Sequence, residues 1–326
     1  MMRLRALLRT VPRLEAWIGR ARRRLGLTRM QVFSITTFHG EHPWDVRPTG
    51  RQRSQVLTRR HVTDVPAAFV ADPFLHRTET GWCMFFEVLR ADTGRGEIGM
   101  ATSLDGHRWA YAGIVLAEPF HLSYPHVVES EGDVFMIPES FEAEAVRLYR
   151  ASPYPSRWVF ERDLLVGAHF ADASPFTHDG RWWMFVEASD KSEVAASTPP
   201  RNTLRLYGAP SLRGPWTEHP MSPVVVDDAR IGRPAGRVVR SDGRLVRFAQ
   251  ESSSVYGLQV HALEIETLTR TVYRERPLGG APVLGPGREW WNRCGMHHID
   301  AHAVDDGWLA SVDGWSMQWD PRRGRV

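Results

Sequence analysis

The sequence predicts an all-β chain folded as a five-bladed β-propeller of antiparallel blades, preceded by a short basic helical tail. Three observations predict it. One phrase recurs five times: a short strand, a Gly-bearing polar turn, a second apolar strand and a closing polar or acidic residue. Successive anchors Pro73, Pro125, Pro175, Pro234 and Ala301 stand 52, 50, 59 and 67 residues apart, the period of one propeller blade. The stretches between copies alternate as strands do and show no helical period. A chain of 326 residues, 42% hydrophobic and with 13 Trp and 14 Phe, carries enough apolar area to fill the cores between five stacked sheets.

Residues 1–30 form the basic tail. Nine Arg against one acid in residues 1–29 leave the rest of this +3 chain at −5. Leu4, Leu7, Leu8, Val11, Leu14, Trp17 and Ile18 are spaced for one helix face, with Arg between them and Pro12 interrupting. Two readings stay open for residues 3–29: an Arg-rich helix lying on an anionic membrane surface, or a solvated tail or helix packed on the propeller. The segment lacks the unbroken apolar run of a secretory signal, and no stretch reaches the ~20 apolar residues of a span. The expectation is a cytoplasmic chain, peripheral at most to the inner membrane surface.

Residues 31–66 read as a lead-in, with a strand at 31–35 and a loop at 39–53. The propeller is expected over 67–316. Blade one opens at Ala71-Asp72-Pro73-Phe74 and closes its second strand at Glu87, with Gly96–Ser103 as an outer strand. Blade two opens at Tyr124-Pro125-His126 and closes at Glu139, with Ala145–Ala151 outside. Blade three runs from Asp172 to Glu187, with its third strand at 203–209. Trp109, Trp158 and Trp216 each follow a polar turn and suit blade-to-blade packing. The polar insertion 190–201 reads as a loop over one face, and 317–326 as a C-terminal tail. Blade four opens at Arg233-Pro234 and closes at Gln250 or Glu251; blade five opens at His298 or Asp300 and closes at Asp313.

Propeller geometry decides which of these residues meet. The start of each first strand and the end of each antiparallel second strand lie at the same face of the ring. Asp72, His126, Asp172, Arg233, His298 and Asp300 are thus expected around one channel mouth with Glu87, Glu139, Glu187, Gln250 and Asp313. Such convergence makes a concave polar site, although several of these groups can instead satisfy buried backbone at the neck. Asp72 is the prime candidate, because an acid before Pro at a strand start is rigidly held and can serve as a base. Asp172 is its partner, and a carboxylate pair on one rim suits sugar chemistry. Trp290 and Trp291 could stack on a sugar or pack in a core. The run from His297 to His302 gives no dedicated metal site, since alternation splits it between two faces. No cofactor is required; one cation in the axial channel, held partly by His298, is compatible. Cys83 and Cys294 make neither a disulfide framework nor a zinc site. Nothing resembles a phosphate-cradling Gly loop or a nucleic-acid motif, so nucleic acid is not an expected partner.

A resemblance sharpens this reading. The phrases Phe69-Val70-Ala71-Asp72-Pro73-Phe74, Phe120-His121-Leu122-Ser123-Tyr124-Pro125, Gly232-Arg233-Pro234-Ala235-Gly236 and Gly295-Met296-His297-His298-Ile299-Asp300 resemble the amino-terminal propeller of plant glucosamine inositolphosphorylceramide transferases and their bacterial relatives, over about residues 60–316. The architecture is also similar to glycosidase families 43, 32 and 62. That likeness implies a blade-one Asp base, a blade-three Asp that orients and tunes it, and a blade-four Glu acid. Asp72 and Asp172 fall on the first two positions, but blade four carries Arg233, which cannot donate a proton at neutral pH. A guanidinium instead suits a departing phosphate. The expected function is glycosyl transfer from a phosphate-activated sugar donor to a glycan or lipid-linked acceptor. Asp72 would be the base and Arg233 would sit on the leaving phosphate. Two alternatives follow: a family-43-like glycosidase with Glu139 or Glu187 as acid, and a glycan-binding propeller without catalysis. The last gains weight because the plant members carry their transferase domain separately.

Overall fold

The computed structural model describes residues 29–48, 54–189 and 203–319. The basic tail up to residue 28, the insertion at 190–201 and residues 320–326 lie outside the described residues. Five antiparallel sheets form a ring, as the repeat predicts.

Blade five takes β1 (Arg29–Gly40) and β2 (Val46–Arg47) from the beginning of the chain. Its inner strands β20 (Ile299–Val304) and β21 (Gly307–Trp319) come from the end. Blade one holds β3 (Ala67–Thr78), β4 (Gly81–Arg90), β5 (Gly96–Ser103) and β6 (Ala110–Leu116). Blade two holds β7 (Ser123–Ser130), β8 (Asp133–Glu139), β9 (Ala145–Ala151) and β10 (Trp158–Val166). Blade three holds β11 (His169–His178), β12 (Arg181–Ser189), β13 (Leu204–Ala209) and β14 (Thr217–Glu218). Blade four holds β15 (Arg233–Pro234), β16 (Val239–Ser241), β17 (Arg244–Glu251), β18 (Gln259–Leu268) and β19 (Tyr273–Pro277).

The main difference from the sequence reading is at the ring's closure. Residues read as a lead-in supply β1, which pairs with β21 from Arg29↔Trp319 to Gly40↔Trp308. The strand therefore reaches past residue 35, and β21 past residue 316. The physical reason is that a last blade built from both ends of the chain ties the ring shut, and β1 covers the edge that β21 would otherwise expose. A lone strand with no hairpin partner in sequence carries no signal of where it will pair.

Packing follows the ring. Each of the five blade interfaces holds one apolar cluster. Ile35 and Leu309 of blade five meet Val70, Leu75 and Met84 of blade one in a single core. Trp109 and Trp158 are buried between blades, and Trp216 packs beside the cluster of blades two and three. Trp291 is buried against Phe38, with ring centroids 6.2 Å apart, whereas Trp290 is half exposed. The buried cation Arg247 lies between blades three and four. Its guanidinium donates to both Glu275 carboxylate oxygens at 2.6 and 2.7 Å and to the Ile231 carbonyl at 3.0 Å.

One local device repeats on the inner strands and builds the site. In blade one the ladder passes from Ala71↔Glu87 to Phe74↔Phe85, so Asp72 and Pro73 oppose a single residue. The same bulge falls between Ser123↔Glu139 and His126↔Ile137, and between Ala171↔Glu187 and Ser174↔Phe185. Its first residue is left-handed each time: Asp72 at φ 51°, Tyr124 at 46° and Asp172 at 55°. A non-Gly residue held there is strained, and such strain persists where the surrounding structure imposes it.

Candidate active site at the channel mouth

The bulges turn Asp72 and Asp172 towards the mouth of the channel, and the ends of β8, β12 and β17 bring Glu139, Glu187 and Gln250 beside them. By ladder register Arg233, opposite Gln250, corresponds to Ala71, Ser123 and Ala171, one position before the bulge. Its long side chain nevertheless reaches the acids. Arg233 Nε donates to Asp172 Oδ2 at 2.5 Å, Nη2 donates to Glu139 Oε2 at 3.1 Å, and Glu187 Oε2 lies 3.3 Å from Nε. That last pair is ionic only; Glu187 Oε2 has no aligned hydrogen bond. Gln250 Nε2 donates to the same Asp172 oxygen at 2.9 Å, and Tyr256 lies over the guanidinium at 5.6 Å.

Burial sets the protonation of these acids. Glu187 is pushed up to about 7 by burial, with Arg233 opposing the rise. Burial, and then the neighbouring Asp172 charge, hold the Glu139 carboxyl well above the ordinary range despite Arg233. One guanidinium thus faces three acids, of which Glu187 is shifted to about 7 and Glu139 is shifted upward as well.

Asp72 has a different shell. Its backbone N–H donates to Asp313 Oδ2 at 3.0 Å. The other Asp313 oxygen accepts from His297 Nδ1 at 2.8 Å and from the backbone N–H groups of His297 and His298. The opposite ring nitrogen, His297 Nε2, faces Asp72 Oδ1 at 3.7 Å. Burial lowers the His297 pKa, but the Asp313 carboxylate outweighs it and holds the ring at about 9. Burial pushes Asp72 well above the ordinary carboxylate range; the His297 charge opposes this, while Asp313, Glu87 and Asp172 add to it. His297 also stacks on Phe33, with centroids 4.6 Å apart. Asp72, His297 and Asp313 each offer a ligand atom within 4.8 Å of the others, so this trio could hold a cation.

Glu87 stands nearby with His121 Nε2 at 3.3 Å; the Glu87 carboxylate overcomes burial and raises the His121 pKa. The rim therefore gathers Asp72, Glu87, Glu139, Asp172, Glu187, Arg233 and Gln250, with Asp313 as a buried support.

Three expected rim residues lie elsewhere. His126 is fully buried immediately beyond the bulge, stacked on Phe74 at 4.7 Å, and Tyr124 occupies the position expected for it. Burial, then Arg237, pull the His126 pKa well below its ordinary value, and neither ring nitrogen has a partner among the described residues. Asp300 sits deeper in the channel, accepting from Leu75 N–H at 2.7 Å and Arg237 Nε at 2.8 Å, with His302 Nε2 at 3.0 Å from its carboxylate. His298 points Nε2 at the Pro73 carbonyl oxygen, 3.1 Å away, and burial lowers it to about 4. The reason is a shared phase error. The residue of blade two aligned with Asp72 and Asp172 is Tyr124, two before His126, and β20 begins only at Ile299, so strand alternation does not govern 297 and 298.

Sequence reasoning passed over His297, Tyr124, His121 and Tyr256. His121 and Tyr124 lie within the quoted phrase that ends at Pro125, and the analogy of Tyr124-Pro125 with Asp72-Pro73 is the available signal. Gly236 shows why its motif ends in Gly. It sits at φ 136°, its N–H donates to the Tyr124 hydroxyl oxygen at 2.6 Å, and a Cβ would fall 1.7 Å from the Ile299 carbonyl oxygen.

Residues 31–315 match the family model described as glucosamine inositolphosphorylceramide transferase 1, N-terminal. The chain is 35% identical over 300 residues to glucosamine inositolphosphorylceramide transferase 1 of Oryza sativa subsp. japonica, covering 86% of this chain and 40% of that protein. The Arabidopsis thaliana protein of the same name is 30% identical over 300 residues, with 86% and 39% covered. The chain thus spans about 40% of the length of these curated relatives. Among solved structures, an exo-1,5-alpha-L-arabinanase from a bovine ruminal metagenomic library superposes with a TM-score of 0.53 at 14% identity, over 79% of this chain and 96% of that one. A family-43 beta-xylosidase/alpha-arabinofuranosidase from a compost metagenome gives 0.54 at 13% identity, over 79% and 92%. The alpha-L-arabinanase of Cellvibrio cellulosa gives 0.52 at 18%, over 78% and 93%. At such identities the likeness is one of fold.

Proposed function

We infer function from one premise: the chain belongs to the family of the N-terminal domain of glucosamine inositolphosphorylceramide transferase 1. From it we propose a carbohydrate-active propeller that transfers a glycosyl group from a phosphate-activated donor to a hydroxyl of a glycan or lipid-linked acceptor. The observation that carries the reading is the pairing, on one rim, of a desolvated Asp72 facing His297 with an Arg233 enclosed by protonatable acids.

Asp72 takes the proton of the acceptor hydroxyl as that oxygen bonds to the anomeric carbon. The bond from that carbon to the donor phosphate breaks, and its electron pair leaves with the phosphate. A base with a raised pKa, kept ionised by a cation, is suited to that step. Arg233 receives the departing charge. To do so it must exchange carboxylates for phosphate oxygens, which Glu139 and Glu187 permit by taking up protons. Donor binding is therefore coupled to proton uptake near neutral pH. Calorimetric titration of nucleotide sugars and pentosyl phosphates in two buffers of different ionisation enthalpy tests this. Proton uptake that falls in Glu187→Gln is expected; donor binding without proton uptake would remove the role given to Arg233.

One observation favours a second reading. A carboxyl near 7, as in Glu187, is half protonated at neutral pH and can act as the acid of a glycosidase. Release of sugar from aryl glycosides, lost in Glu187→Gln, would select it over transfer.

A further inference from the structure

A second cavity lies against blade five, outside the rim site. It encloses about 720 Å³ and is lined by Arg29, Arg59, Arg60, Arg293, His61 and Trp290, with no acidic residue among the described residues of its wall. That composition is unusual here, because residues 30–326 carry a net charge of −5. Among the described residues, the Arg60 and Arg293 guanidinium groups make no ion pair, and both side chains are exposed. Ser34 also lines the cavity; it is fully buried, and its hydroxyl has no hydrogen-bond partner among the described residues. Trp290 stands half exposed at the wall.

We propose that this cavity binds a phosphate ester, with the phosphate among the arginines and the attached glycosyl or acyl-bearing part against Trp290. Arg60 and Arg293 carry like charge with no ion pair among the described residues, and a phosphate offers several acceptor oxygens to such planar guanidinium donors. The buried Ser34 hydroxyl supplies a further donor where a buried polar group otherwise goes unsatisfied. An indole face can take either an apolar chain or a sugar ring. Strand alternation links the cavity to the rim: Val32 and Ser34 of β1 face the cavity, whereas Phe33 between them stacks on His297. The proposal stands independently of any catalytic role for Asp72.

The ester can belong to a lipid headgroup or to a soluble sugar phosphate, and the test separates the two. The full chain is titrated with glucose 1-phosphate and pyrophosphate, and sedimented with phosphatidylcholine vesicles with and without phosphatidic acid. The variants are Arg60→Glu/Arg293→Glu, Arg60→Lys/Arg293→Lys, the remote exposed Arg108→Glu, and Asp72→Asn. The expected result is binding to the phosphate esters or to the acidic vesicles that weakens at least about tenfold in the double Glu variant. It should be largely kept in the double Lys variant, unchanged in Arg108→Glu and Asp72→Asn, and reduced by salt. Binding to acidic vesicles alone assigns a lipid source, and binding to the soluble esters alone a sugar phosphate. Binding to none of these probes, or equal binding by wild type and the double Glu variant, would overturn the proposal. So would loss in Asp72→Asn, which would move the phosphate to the rim.

Discussion

His297→Gln removes the cation that faces Asp72 while keeping a polar side chain of similar reach. At 3.7 Å, the interaction lies between about 1 kcal/mol for a water-like dielectric and about 4.5 kcal/mol for an effective value of ~20. Its loss removes that stabilisation of the carboxylate and raises the Asp72 pKa further. The sign follows from the charges. Protonated His297 stabilises ionised Asp72, so without it the acid form persists to higher pH, and any step needing the Asp72 carboxylate moves with it. In the wild type the same loss sets in as His297 deprotonates near 9. The assay is carboxyl ¹³C NMR of protein labelled in aspartate, with Asp72→Asn assigning the resonance, alongside the pH dependence of kcat/KM for transfer. A substitution that abolished activity through misfolding would not yield an intact, shifted titration curve. If the Asp72 resonance titrates at the same pH in wild type and His297→Gln, the electrostatic pairing argued here is wrong.

Other outcomes follow from the same geometry. Glu187, at about 7 folded against roughly 4.5 unfolded, binds its proton more tightly in the native state. Its contribution to stability is therefore full below pH 4.5 and is lost as pH rises through 7, up to about 3 kcal/mol. Denaturant titrations at pH 5 and pH 8 should show this slope, and Glu187→Gln should flatten it; an unflattened slope would assign it to other groups. Glu275→Gln removes the carboxylate charge that faces the buried Arg247, and should cost about 3–5 kcal/mol, read as a lowered Tm. A loss under about 1 kcal/mol would mean the pair is effectively solvated. Deleting residues 1–40 removes β1 from the last blade and leaves β21 as an open inner edge. A chain with no cooperative unfolding transition is expected, and retained cooperativity would show that the ring tolerates an open blade.

The fold was legible because each blade repeats its own local signal, a Gly-bearing turn between apolar strands. β5 and β9 have the bounds expected for them, Gly96–Ser103 and Ala145–Ala151. Closure by β1 was not legible, since pairing over nearly 300 residues leaves no pattern in either strand. At the site, the acids of the second strands could be read because all of them close an unbroken alternation. The first strands could not be read by alternation. A bulge inserts one residue, and every side chain after it changes face. That is why His126 was expected at the rim yet lies in the channel, and why Tyr124 was passed over; Asp300 stands in an unbulged ladder of β20 with β21. His297 was missed for a related reason: it precedes the strand, in backbone fixed by Asp313 rather than by a ladder.

The central claim is that Asp72 acts as a base on a glycosyl donor bound at the channel mouth. Its most direct test is single-turnover release of phosphate or nucleotide diphosphate from a panel of activated sugars, with and without hydroxyl acceptors. Wild type and Asp72→Asn would be compared at matched Tm. The account predicts acceptor-dependent release by the wild type and a loss of about 10²-fold or more in Asp72→Asn, the scale of general-base catalysis. Release that is equal in the two proteins, or donor binding with no turnover in either, would contradict it.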